Sequence, residues 1–90
     1  MDQLNSALEQ EFPVNEQCMY LNHAAVAPWP ISASKAVARF AEENVAKGAA
    51  DYPHWLEIEK QLRLNLARLI NAPVDSVALV KNTSEALSFV

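Results

Sequence analysis

The sequence predicts a mainly α-helical chain, and three observations carry that expectation. Residues 30–47 and 53–70 each repeat apolar side chains at helical spacing. Proline stands in the first turn of each stretch and turn-forming residues follow each one. Only one short run, Ser76 to Val80, has the composition of a strand. The expected arrangement is two long helices as an antiparallel pair, with a short N-terminal helix, one strand near 76–80 and a helix start at 83–90. Ninety residues suit one small unit, and 51% of them are hydrophobic. A thin core with that much apolar material leaves surface for a partner or for further chain to cover.

The elements are justified in order. Leu4, Ala7 and Leu8 recur at i, i+3 and i+4, which predicts a helix over 2–10; Pro13 is expected to end the helical tendency. "CMYLNHAAVAPWP" follows, apolar and irregular, with Pro28 and Pro30 forcing extended or turn geometry on the residues before them. Ala33, Ala36, Val37, Phe40, Ala41 and Val45 form one face of the first long helix. Gly48, the only glycine, is expected as a left-handed residue just past its end. Asp51 is the expected N-cap of the second long helix, with Pro53 in its first turn. Trp55, Ile58, Leu62, Leu66 and Leu69 make its main stripe, and Leu56, Leu64 and Ile70 widen the apolar zone so that it wants contacts on two sides. "NAPVD" ends it by turn chemistry. "SVALV" has almost no polar position, which suits a strand buried on both faces of a parallel sheet.

Charge and composition exclude several functions. The net charge is -4, and the seven basic residues are scattered, with only Lys60 and Arg63 close together on a helix face. No basic stripe for nucleic acid is present. No apolar run approaches the ~18 residues of a membrane span, and the acidic start "MDQLNSALEQEF" lacks the basic region of a signal peptide. The expectation is a cytoplasmic protein with no nucleic-acid and no membrane partner. Cys18 is the only cysteine, so no intrachain disulfide can form. It is read as a small apolar residue beside Met19 and Tyr20 in preference to a nucleophile near His23. The His and Cys spacing shows no metal site.

The last segment, "KNTSEALSFV", carries two readings. A helix that starts at Thr83 offers unpaired N–H groups and hydroxyls to an anion, and a phosphate would sit well there. Alternatively the polar residues only cap the helix, with Asn82 as N-cap and Glu85 closing a capping box. No P-loop or G-x-G-x-x-G signature is present.

Taken in order, "YLNHAA" at 20–25, two helices, and "NTSEA" at 82–86 resemble the N-terminal portion of class V aminotransferases. These include cysteine desulfurase-like enzymes of the fold-type-I pyridoxal phosphate superfamily. The resemblance covers nearly the whole chain. It implies an α/β parent fold and pyridoxal phosphate as the parent's cofactor. Ser84 becomes the main phosphate-contacting hydroxyl, helped by Thr83 and by the backbone N–H of Glu85. It also implies that Asn22, His23, Ala24 and Ala25 border an amino-acid substrate, with His23 alternatively packed in a turn. Trp29, Tyr52 and Trp55 are read as packing residues. The Schiff-base lysine of the family lies beyond residue 90, and Lys81 is not in its context. No catalytic residue is therefore assigned, and the chain alone is expected to be inactive: the N-terminal fragment, 1–90, of a longer aminotransferase-like domain. A second reading is a stand-alone helical module that serves association. Either way the chain is expected to self-associate, as a dimer, because two helices cannot cover their own apolar faces.

Overall fold

The structure, a computed structural model, describes residues 2–90, and these are mainly helical. The helices are α1 (Asp2–Glu11), α2 (Val14–Gln17), α3 (Ile31–Lys47), α4 (Tyr52–Ile70) and α5 (Thr83–Ser88), with a 3-10 turn at Val74–Ser76. The chain divides into two units that meet in sequence at Gly48 and Ala49. The long helices α3 and α4 therefore belong to different units.

In the first unit α1 packs against α3. Pro13 does not end the helical tendency; it opens α2. With φ −63 and ψ −13 it takes the N-cap position, and its carbonyl accepts from the Glu16 N–H at 3.0 Å. A proline costs nothing there, because the N–H it lacks would be unpaired at a helix start anyway. Cys18 then returns the chain to extended geometry at φ −159 and ψ 162. Pro30, at φ −66 and ψ 151, is the N-cap of α3. Its carbonyl accepts from the N–H groups of Ala33 and Ser34 at 3.1 and 3.2 Å, but it has no side-chain acceptor to offer the first turn. The helix ends at Gly48, whose N–H donates to Asn44 O at 2.8 Å. Gly48 has the expected positive φ, +59, but ψ is −124, so it is not the left-handed helical residue anticipated. It turns the chain more sharply, in a region open in practice to glycine alone.

The second unit is built on α4, against which the 3-10 turn packs. Asp51 holds the N-cap position as expected, and its carbonyl receives the N–H groups of His54 and Trp55 at 2.9 and 3.2 Å. The C-terminus is a Schellman closure. Asn71 is left-handed at φ 53 and ψ 49. Its N–H donates to Arg68 O at 3.3 Å, and the Ala72 N–H reaches back to Ala67 O at 2.9 Å. Asparagine tolerates this conformation better than other residues with a Cβ. Ala67, at the foot of the closure, is 4% exposed and is the one buried hydrophobic residue among those described.

The strand expected at 76–80 does not form. Ser76 closes the 3-10 turn instead: its N–H and its hydroxyl both donate to Pro73 O, at 3.0 and 2.8 Å. Such local bonding by a serine competes with a ladder. Val77 is extended, at φ −101 and ψ 120, and residues 77–80 form no strand. A strand is defined by its neighbours, and no second extended segment pairs with this one among the described residues.

Large apolar side chains on both units stay open to solvent. Val37 and Phe40 on α3 are about half exposed, as are Leu56 and Leu62 on α4, while Leu69 is 81% exposed.

Candidate functional site

The expected site residues fall in two places, one in each unit. The first is the turn at Asn22–Val26. The carbonyl of Asn22 accepts from the N–H groups of Ala25 and Val26, at 3.3 and 3.1 Å. Tyr20 closes the turn from outside by donating its phenolic hydroxyl to the Val26 carbonyl. The His23 ring lies edge-on to the Tyr20 ring, centroids 5.2 Å apart and planes at 64°. Asn22, His23, Ala24 and Ala25 are all exposed. Beyond the turn, Val26, Pro28, Trp29, Pro30, Ala33 and Val37 line an open apolar groove of about 560 Å³. Trp29, expected to pack, is 63% exposed in that groove.

The second place is the start of α5. Asn82, at φ −164 and ψ 172, is its N-cap, and its Oδ1 accepts from the Glu85 N–H at 2.8 Å. The Glu85 carboxylate answers by accepting from the Lys81 N–H at 2.9 Å through Oε2. This is the anticipated capping box, displaced by one residue on its return arm. It alters the expected phosphate set: the Glu85 N–H is committed to Asn82 and is not on offer to an anion. Thr83 and Ser84 differ. Neither their N–H groups nor their hydroxyls bond another group among the described residues. Two adjacent amides and two hydroxyls at a helix start fit the acceptor oxygens of a phosphate. The Glu85 carboxylate, held at the same end, opposes an anion there.

Tyr52 and Trp55 form an edge-to-face ring pair on α4, with centroids 5.8 Å apart. Cys18 is exposed and leans its thiol toward Val14 O at 3.8 Å. No cluster of three His, Cys, Asp or Glu suited to a metal occurs among the described residues. No helix among them is long and apolar enough to cross a membrane.

One contact was invisible to periodicity and motif. The Glu11 carboxylate accepts from both the N–H and the hydroxyl of Ser32, at 3.2 and 2.6 Å through Oε2. It supplies the cap that Pro30 cannot. The Ser32 hydroxyl, then the Ser32 N–H, and to a smaller degree the charge of Lys35 hold this carboxyl below its ordinary value, against a desolvation that raises it. The sequence signal was indirect: a helix that opens on proline must find its acceptor elsewhere.

The chain is similar to "Probable cysteine desulfurase" of Methanothermobacter thermautotrophicus, with 31% identity over 87 residues. The match takes in 92% of this chain but 22% of that protein, so the chain spans about a fifth of the curated relative's length. No family model matches the chain. No solved structure matches it.

Proposed function

We propose that the chain is the N-terminal segment of a pyridoxal phosphate enzyme of the class V aminotransferase type, similar to cysteine desulfurases and acting on an amino acid. The observation that carries this is the start of α5, where Thr83 and Ser84 keep N–H and hydroxyl donors unspent. The similarity to a probable cysteine desulfurase, running through 92% of this chain, supports it. In this reading Ser84 grips the cofactor phosphate with its hydroxyl and N–H, and Thr83 adds its own. Asn82 holds the helix start rigid by capping Glu85. The cofactor, when bound, supplies the electron sink for amino-acid chemistry. The Asn22–Ala25 turn borders the amino acid. The lysine that tethers the cofactor belongs to further chain, so residues 1–90 alone turn over no amino acid.

The test is a titration of the 90-residue chain with inorganic phosphate, followed by amide resonances. Selective movement of Thr83 and Ser84, with Glu85 unmoved, is the expected result. Uniform or absent shifts return the segment to plain capping. In the full-length protein Ser84→Ala should weaken cofactor binding by about 1.5–3 kcal/mol, the worth of one charge-assisted hydrogen bond. That is roughly 10- to 150-fold in Kd.

The exposed apolar residues on α3 and α4 favour a second reading, a helical module that associates with a copy of itself.

A further inference from the structure

The segment between α1 and α3 is closed twice. The outer closure is Glu11 on Ser32, which joins positions 21 residues apart in sequence. The inner closure is Tyr20 on Val26, with His23 against the Tyr20 ring. Between the two, on the C-terminal side, run Ala27, Pro28, Trp29 and Pro30. Two prolines in four residues make that arm stiff, because each fixes its own φ and restricts the residue before it. Holding Ser32 therefore limits where Val26 can lie. On the N-terminal side the arm is the single turn of α2, begun at Pro13 and ended at Cys18. Both arms thus hang from one carboxylate.

We propose that Glu11 is a positioning residue: its clamp on Ser32 sets the geometry of the Asn22–Val26 turn as well as capping α3. The closed geometry is strongest while the carboxylate is ionised, since Oε2 then accepts charge-assisted bonds from both donors. Lys35 is the charged group on α3 that acts on it. Glu9 on α1 and Glu16 on α2 are the acids nearest in sequence. The sign follows from the lowered value of Glu11. The clamp is intact above the ordinary glutamate range, and it opens as pH falls through the lower folded value. The bearing of this turn on an amino-acid substrate rests on the proposed function; the clamp itself does not.

The experiment is a pH scan of the labelled 90-residue chain by amide resonances, in wild type, Glu11→Gln and Glu11→Ala. In wild type, Ser32, Ala25 and Val26 should share one acid transition. In Glu11→Gln that shared transition should vanish, while transitions from the other acids persist. Glu11→Ala should show the acid-form shifts of Ala25 and Val26 already at neutral pH. A transition confined to Ser32 and its helical neighbours, with Ala25 and Val26 flat, makes Glu11 a plain cap and overturns the proposal. If Glu11→Ala fails to fold, the comparison with Glu11→Gln decides alone. Failure of phosphate to move Thr83 and Ser84 would remove the functional reading and leave this result untouched.

Discussion

Asn82→Ala separates the two roles at the start of α5. The substitution deletes the Oδ1 acceptor that takes the Glu85 N–H at 2.8 Å. It also loosens the return bond from Glu85 Oε2 to the Lys81 N–H at 2.9 Å, because the two bonds brace each other. Replacing an asparagine cap by alanine costs about 0.5–2 kcal/mol. The helix it caps has six residues, too few to be stable on its own hydrogen bonds. A loss of about 1 kcal/mol changes its population by roughly fivefold. Against this, the Glu85 N–H is released to a phosphate as a third amide donor. The cap loss should win, since a donor on a melted turn is not aimed at anything. Amide exchange and α-carbon shifts of Thr83–Ser88 read the helix directly, and phosphate titration of the same sample reads the anion. Expected are faster exchange throughout α5 and weaker phosphate shifts at Thr83 and Ser84. An undiminished helix with stronger phosphate binding would refute the reasoning: the cap would then be a competitor of the anion and not its support.

Further outcomes follow from the helix ends and the open faces. Gly48→Ala should destabilise the first unit by about 1–3 kcal/mol through backbone strain alone, checked by denaturant unfolding, because φ is positive with ψ −124 and no atom lies within 4 Å of the added Cβ. Asn71→Gly should be neutral or slightly stabilising and Asn71→Val destabilising by a similar ~1–2 kcal/mol, since only the second opposes the left-handed backbone; thermal unfolding distinguishes them. The 90-residue chain should self-associate at micromolar concentration, because an interface of ~800 Å² per partner is within reach of its exposed apolar residues. A well-folded monomer by sedimentation equilibrium would refute that.

The long helices were legible because their signals are local. Apolar spacing set the faces, Pro30 and Pro53 set the starts, and Gly48 set an end. The observed limits, Ile31–Lys47 and Tyr52–Ile70, lie within a residue of those expected. The Asn82–Glu85 bond was legible for the same reason, being a three-residue pattern. The strand was not, because its composition describes what a strand needs from neighbours. With Ser76 bonding Pro73 O and no ladder alongside, the same residues lie extended and unpaired. Nor was the Glu11 clamp, whose partners are 21 residues apart and of types found on any surface. At the start of α5 the polar residue types were legible but not their commitments: Glu85 looks like Thr83 and Ser84 until its N–H is found already spent.

That Ala67 alone among the hydrophobic residues described is fully buried has a calorimetric consequence. The heat-capacity increment of unfolding comes mainly from apolar surface newly wetted, and compact domains give about 12–15 cal/mol/K per residue. Side chains such as Leu69, Ile70 and Val45 are wet before any heat is applied. The 90-residue chain, held dilute, should therefore melt with a shallow step, a small denaturant slope and a broad transition. The helices would loosen with little cooperativity, the α1–α3 pair joined by Glu11 and Ser32 being the exception. Raising the protein concentration until apolar faces are covered would sharpen that transition, so the breadth of the melt gauges how much of the missing shelter has been found.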